Sequence, residues 1–297
     1  MSGIVLRHVF KLLRPKHWAK NLFIFLPVFF GGQLFNLSAL LGCLVAFVAF
    51  SFIASSIYCF NDIHDAEADR LHPRKSQRPV ASGLISKKTA YSIMAACFVM
   101  SILVILFFGG RTAYEQIALI LLYFIMNIAY CIKLKRYAIV DVVIISMGFV
   151  LRVALGGQAS EIGASEWIMI MTFLLALFLA FAKRRDDVVL FQNTGITVRM
   201  NTDKYNLEFI NQVITIIATI TVVAYIMYTL SADVIERFDS NNVYITAIFV
   251  LMGIVRYLQI TIVSQKSGNP IKILFCDRFI QFCIAGWIVL FLFIIYY

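Results

Sequence analysis

The sequence predicts an all-α integral membrane protein, with nine transmembrane helices in one bundle and a cytoplasmic N-terminus. Three observations carry that expectation. Hydrophobic residues make up 61% of the chain and charged residues only 14%, against about 25% charged in soluble globular domains. Apolar runs of about 20 residues, the length that crosses a bilayer as an α-helix, succeed one another along the chain. Lys and Arg collect in alternate gaps between those runs, as the positive-inside rule requires. No stretch is left for a soluble domain. The net charge of +10 therefore reads as topology and anionic substrates, not as nucleic-acid binding.

Taken in order, residues 4–14 set Ile4, Val5, Leu6, Val9, Phe10, Leu12 and Leu13 against Arg7, His8, Lys11 and Arg14. That pattern fits an amphipathic helix lying in the membrane interface, within an interfacial segment 1–18. Pro15 ends it, and Trp18 is placed to anchor at the interface. Residues 19–297 then form the bundle, with spans at roughly 19–35, 37–60, 89–109, 114–132, 139–157, 166–182, 207–231, 243–264 and 273–295. Of the 26 Lys and Arg, those at 7, 11, 14, 16, 20, 70, 74, 75, 78, 87, 88, 133, 135, 136, 183, 184, 185, 199, 204, 266, 272 and 278 fall on one side. Only Arg111 and Arg237 fall in the intervening loops, while Arg152 and Arg256 lie inside spans. This asymmetry orients the chain, with its N-terminus and chemically rich loops facing the cytoplasm and Tyr297 outside; the expected location is the cytoplasmic (inner) membrane of a prokaryote. The six cysteines (43, 59, 97, 131, 276, 283) form no CxxC pair and read as free thiols. No secretory cleavage site follows the first apolar run.

The densest chemistry lies at Asn61-Asp62-Ile63-His64-Asp65-Ala66-Glu67-Ala68-Asp69-Arg70. It follows a run from Leu37 to Phe60 without a single charge. In a helix, Asp62, Asp65 and Asp69 fall within about 60° of arc, Asn61 reaches the same side and Glu67 points away. Carboxylates on one face repel unless a cation lies between them, and hard oxygen ligands suit Mg²⁺ held by one or two carboxylates plus substrate phosphates. The plainer reading is a charged, solvated helix end. The basic tail Arg74, Lys75 and Arg78 favours a ligand carrying several phosphates.

Three further clusters share that side of the membrane. Arg14-Pro15-Lys16-His17-Trp18-Ala19-Lys20-Asn21 opens the first span. Tyr130-Cys131-Ile132-Lys133-Leu134-Lys135-Arg136 closes the fourth and resembles a phosphate clamp. Lys183-Arg184-Arg185-Asp186-Asp187 closes the sixth, where Lys183 and Asp187 are i, i+4 neighbours. Each also serves as a plain topology flank. Arg152 and Arg256 must face the bundle interior or a wet cavity, with Arg152 expected to brace structure. Asp277 and Arg278 are adjacent and read as an ordinary ion pair. His64 and His72 lack metal-ligand spacing and read as bystanders.

The Asn61-Asp62-x-x-Asp65-x-x-x-Asp69 pattern resembles that of the UbiA superfamily of membrane prenyltransferases, which also has nine helices. RPKHWAKN (14–21), NDIHDAEADRLHPRKSQRPVASG (61–83), YCIKLK (130–135), LRVALGGQA (151–159) and FLAFAKRRDD (178–187) are similar, in order, to its phosphoribosyl-transferring branch. The resemblance covers most of residues 12–190. It implies Mg²⁺-dependent transfer of 5-phosphoribose from phosphoribosyl pyrophosphate to a polyprenyl (decaprenyl-type) phosphate, for cell-envelope glycan precursors. It implies metal ligation by Asn61, Asp62, Asp65 and Asp69, and catalytic roles for Asp62, Asp65, Asp69, Lys183 and Asp187. Lys20, Asn21, Asn61, Arg74, Lys75, Arg78, Tyr130, Lys133, Lys135 and Arg184 complete the substrate-binding set. Membrane lipid, the two substrates and a second copy of the chain are the expected partners. Cys131 stands where a small hydroxyl residue is frequent, and Asp187 where Glu is. An aromatic prenyltransferase of the same superfamily is the alternative, but its second Asp-rich motif is replaced here by Lys-Arg-Arg-Asp-Asp. A non-enzymatic lipid-phosphate carrier is the other, and no inverted repeat supports it.

Overall fold

The computed structural model describes residues 2–71, 75–195, 201–265 and 270–296. Among the described residues there is no β-strand. The α-helices are α1 (Ser2–Leu13), α2 (Leu26–Phe30), α3 (Leu37–His64), α4 (Ala66–Arg70), α5 (Lys87–Phe108), α6 (Ala113–Ile132), α7 (Val140–Ala159), α8 (Glu166–Thr194), α9 (Leu207–Thr229), α10 (Ala232–Phe238), α11 (Ala247–Ile262), α12 (Pro270–Cys276) and α13 (Arg278–Tyr296). Among the described residues, eight helical segments are long and apolar enough to cross a membrane, those of α3, α5, α6, α7, α8, α9, α11 and α13. The expected first span, 19–35, is not among them.

That stretch is wound differently. Pro15–Phe25 is a 3₁₀ helix that passes directly into the five-residue α2. The side-chain period follows the winding. Asn21, Ile24 and Pro27 are buried while Lys16, Ala19 and Leu22 are exposed, the three-residue repeat of a 3₁₀ helix. Such runs rarely exceed four residues because their hydrogen bonds are poorly aligned. Here side chains tie the segment antiparallel along α3. His17 Nδ1 lies 3.3 Å from the Tyr58 hydroxyl, Trp18 Nε1 donates to Ser55 Oγ (3.1 Å) and Asn21 Nδ2 to Ser51 Oγ (2.9 Å). The Phe25 ring stands 6.2 Å from that of Phe47. From His17 to Phe25 the 3₁₀ helix rises about 16 Å at ~2.0 Å per residue. From Tyr58 to Phe47 the α-helix rises about 16.5 Å at ~1.5 Å per residue, so the ties stay in register.

The chain sorts into two compact units, and α7 contributes to both. The first comprises Met1–Lys135 and Gly148–Ser165; the second comprises Arg136–Met147 and Glu166–Tyr297. In the first unit α3 is the axial helix, packed on α5, α6, α1 and the 3₁₀ segment. Small residues permit close approach: Ser101 Oγ donates to the Ala49 carbonyl (2.8 Å) and Ser56 Oγ to that of Met94 (3.0 Å). At Gly42 and Gly156 an added Cβ would overlap the carbonyl oxygens of Ala159 and Ile24. The α1 helix packs Leu12 with Cys59, Ile63, Ala66, Val80 and Ile85, which supports the helix expected at the N-terminus.

Arg152 finds its partners in this unit. Its Nε donates to Asn21 Oδ1 (2.9 Å), Nη1 to the Gly148 carbonyl (2.6 Å) and Nη2 to the Tyr123 hydroxyl (3.4 Å). The rings of Phe50, Tyr123 and Phe149 enclose its guanidinium at 4.5–5.3 Å. Only 5% exposed, the cation is stabilised by hydrogen bonds and ring faces. It is the brace that its position suggests.

In the second unit α8 packs on α9 and α11 through Phe178, Phe181, Ile210, Ile214, Ile217 and Tyr257. Arg185, buried in α8, ties to Asn211 Oδ1 (2.7 Å) and caps the end of α11 through the Thr261 carbonyl (2.7 Å). Asp277 pairs with Arg256 (2.7 Å). This partner was not legible from the adjacency of Asp277 and Arg278. The guanidinium beside it holds the Asp277 carboxyl below its ordinary value of 3.8. All six cysteines are free, and five of them are buried.

Candidate active site

The last turns of α3, a break at Asp65 and the short α4 present the acidic motif. Asp65 caps α3 with φ −89° and ψ 0°, yet the helical ladder continues across it. The Asp65 N–H donates to the Asn61 carbonyl (2.9 Å) and the Asp69 N–H to that of Asp65 (2.8 Å). The motif is thus one helical track with a single irregular residue. Asp62 and Asp69 are buried, and Glu67 points outward to pair with Lys87 at 3.1 Å. That contact holds the Glu67 carboxyl below its ordinary range.

Every motif aspartate meets a cation. Arg14 Nη2 lies 2.5 Å from Asp62 Oδ1. Arg78 Nη1 lies 2.6 Å from Asp69 Oδ2 and 3.6 Å from Asp62 Oδ1, so it spans both acids. Lys135 Nζ lies 2.6 Å from Asp65 Oδ1. Asn61 Oδ1 accepts a weak hydrogen bond from Cys131 Sγ (3.5 Å). The structure therefore brings together Asn61, Asp62, Asp65, Asp69, Arg78 and Lys135 from three separate stretches, with Arg14 from a fourth. Arg78 is carried there by the turn after the Lys75–Gln77 3₁₀ helix, where Lys75 is half-buried. Arg74 lies outside the described residues.

Other expected residues fall differently. Asn21 is 1% exposed and its amide is spent on Ser51 and Arg152. A substrate contact is not its geometry; one turn of 3₁₀ helix carries it inward from the mouth. Lys20 and Tyr130 are half-buried, and Lys133 is exposed at the end of α6. Arg14 was missed as a site residue. Its guanidinium also sits 5.0 Å from the Tyr58 ring centroid. The signal available in sequence was the Arg-Pro pair closing an amphipathic helix, which reads equally as a topology flank.

The donor chemistry fits a divalent cation. Among the described residues no three His, Cys, Asp or Glu side chains converge into a ready cage. Mg²⁺ does not require one, because substrate phosphates and water complete its shell. Asp62 supplies the decisive observation: its Oδ2 is buried with no hydrogen-bond partner. Such an orphaned carboxylate oxygen is costly unless something binds it.

In the second unit Arg184 is 2% exposed. It grips Asp141 through Nε (2.8 Å) and Nη2 (2.7 Å), and reaches Asp187 at 3.4 Å. The Tyr205 hydroxyl donates to Asp141 (3.2 Å) and accepts from the Ile139 N–H (2.6 Å). Burial pushes the Tyr205 hydroxyl up to about 12, so it stays protonated. Arg184 is thereby a buried strut where a substrate ligand was expected. Lys183 is exposed and Asp187 half-buried. A cleft of about 370 Å³ lined by Gln33, Asn36, Ser38 and Glu161 lies at the start of α3, far from Asp62, and contains none of this chemistry.

An all-helical fold with an aspartate track at the end of a long apolar helix defines a class of membrane transferases. Residues 22–284 match the UbiA prenyltransferase family, and the chain belongs to it. The decaprenyl-phosphate phosphoribosyltransferase of Mycolicibacterium smegmatis is 32% identical over 97% of this chain and 91% of its own length. That of Corynebacterium glutamicum is 30% identical over 94% of this chain and 83% of its own. A UbiA homologue from Archaeoglobus fulgidus, solved with DMAPP and Mg²⁺, superposes with a TM-score of 0.72 at 20% identity. It covers 97% of this chain and 98% of its own.

Proposed function

We propose that the chain transfers 5-phosphoribose from phosphoribosyl pyrophosphate to a polyprenyl phosphate of the decaprenyl type. The observation that carries this reading is the mouth in which Asp62, Asp65 and Asp69 alternate with Arg14, Arg78 and Lys135. Such a set suits a metal-bound diphosphate with further phosphate groups nearby, better than a prenyl diphosphate paired with a neutral aromatic acceptor. Asn61, Asp62, Asp65 and Asp69 would hold Mg²⁺, which when bound draws negative charge from the leaving diphosphate.

The remaining chemistry falls to the chain itself. A phosphate oxygen of the lipid attacks the anomeric carbon, the bond from that carbon to pyrophosphate breaks, and pyrophosphate departs with the electron pair. Arg78 and Lys135 face the developing charge and are held in place beforehand by the carboxylates, so little reorganisation is needed. A phosphomonoester is already ionised near neutral pH; it requires orientation more than a general base. Arg74, Lys75, Lys20, Lys133 and Tyr130 are assigned to its phosphate and to the donor 5-phosphate. Lys183, with Asp187, is a separate proposal: a phosphate contact in the second unit, for which a lowered substrate affinity in Lys183→Ala is the test.

We further propose that the mouth faces the cytoplasm of an inner membrane and that α1 lies in the interface. Pro15–Phe30 supplies the ninth crossing, since eleven 3₁₀ and five α residues together rise about 30 Å, one hydrocarbon thickness. That crossing restores the charge alternation of the loops.

The deciding experiment uses the purified protein in detergent with radiolabelled phosphoribosyl pyrophosphate, Mg²⁺ and polyprenyl phosphate. Labelled lipid is expected. Absence of labelled lipid, alongside prenylation of an aromatic acid from a prenyl diphosphate, would overturn the reading.

A further inference from the structure

We propose that Arg14 plugs the metal position and exchanges Asp62 for a diphosphate oxygen when the ligands bind. This rests on the reading of the aspartate motif given above. Four observations converge on Arg14. Its guanidinium holds one oxygen of Asp62 at 2.5 Å, while the other oxygen of that carboxylate is buried without a partner. The guanidinium also lies over the Tyr58 ring, 5.0 Å from its centroid, so the seat is built from two sides. Its backbone is left-handed, with φ 53° and ψ 55°, a conformation that side chains other than glycine seldom adopt. Pro15 follows and disfavours the ordinary helical well for Arg14, leaving the left-handed and extended wells as alternatives.

The electrostatics set the direction of the exchange. A divalent cation at Asp62 and a guanidinium 2.5 Å from the same oxygen compete for one carboxylate. With Arg14 on Oδ1, a metal alone has only Oδ2 and shares the carboxylate's charge with a neighbouring cation, which opposes its binding until Arg14 leaves. Once evicted, Arg14 is a free cation at the edge of the metal site, where a diphosphate oxygen is its natural acceptor. The same residue thus weakens metal binding and strengthens diphosphate binding, and couples the two. Arg78 differs: it spans Asp69 at 2.6 Å and Asp62 at 3.6 Å, so it keeps one acid when the other is taken.

The test separates this from a structural role by sign. Mn²⁺ binding by paramagnetic resonance, metal alone, and retention of ³²P-pyrophosphate at saturating Mg²⁺ are measured on detergent-purified wild type and Arg14→Gln. Arg14→Gln is expected to bind Mn²⁺ about tenfold tighter and pyrophosphate about tenfold weaker, within the usual range of coupling between linked sites. Tyr58→Leu, which unseats the guanidinium but keeps it, is expected to tighten Mn²⁺ and leave pyrophosphate retention at the wild-type level. Equal or weaker Mn²⁺ binding in both variants, each with a wild-type unfolding profile, overturns the plug. If Asp62→Asn binds Mn²⁺ as wild type does, the metal assignment fails instead, independently of Arg14.

Discussion

Arg184 offers a sharp contest between substrate binding and structure. Replacing it by Met removes a guanidinium that is 2% exposed and leaves the Asp141 carboxylate, 1% exposed, without its 2.7 and 2.8 Å partner contacts. Stranding a buried charge in this way costs about 3–5 kcal/mol. Replacing both residues, Arg184→Met with Asp141→Leu, removes the stranded charge as well. What then remains is the lost acceptor of the Tyr205 hydroxyl, about 1 kcal/mol. The double variant should therefore recover most of the loss in reversible unfolding by SDS titration, and activity should return with it. If the single variant unfolds like wild type while its activity collapses, or if the double variant is stable yet inactive, Arg184 binds substrate and the strut assignment is wrong.

Other outcomes follow from the same geometry. Asp62→Asn and Asp65→Asn should each lower turnover by at least about a hundredfold with unfolding midpoints preserved, since charge at the metal position is removed at constant shape; unchanged turnover in both removes the metal assignment. Gly156→Ala should destabilise by about 1–3 kcal/mol, because its methyl group meets the Ile24 carbonyl and forces the 3₁₀ segment outward; a wild-type midpoint would show that this approach is not close. Arg152→Met should lose more stability than Arg152→Lys, which keeps charge near the ring faces, and equal losses would point to packing alone. For Asp277, a carboxyl held low by Arg256 adds stability above its ordinary value of 3.8, lost as pH falls through the lowered value. The midpoint difference between wild type and Arg256→Gln should therefore be present at neutral pH and vanish in strong acid; a difference that grows on acidification contradicts the pairing.

The aspartate motif was legible because it combines a helical spacing with a charge-free approach of 24 residues, Leu37–Phe60. Those features fix both its face and its place at a helix end. Lys135 and Arg78 were legible as cations but not as partners. Their reach to Asp65 and Asp69 depends on turns after α6 and α4 that hydropathy does not encode. Asn21 and Arg184 show the converse. Each lies in a motif that looks like ligand binding, yet folding carries the side chain inward, where burial converts it to a strut. The stretch 19–35 was legible as an apolar run but not in its winding: Trp18, Asn21, Ile24 and Pro27 repeat every three residues, a 3₁₀ period that the length of an apolar run does not reveal.

The winding of Pro15–Phe25 also fixes what the chain tolerates there. In a 3₁₀ helix one added or deleted residue turns everything on its N-terminal side by about 120° and shifts it by about 2 Å. The load on that side is Arg14, whose contact with Asp62 has no slack at 2.5 Å. Residue number between Arg14 and Asn21 should thus behave as a locked count. Shortening the segment by a whole turn of three would keep its faces aligned, yet draw Arg14 away from Asp62 by about 6 Å. The reach of the arginine and the register of the segment along α3 are set by the same eleven residues.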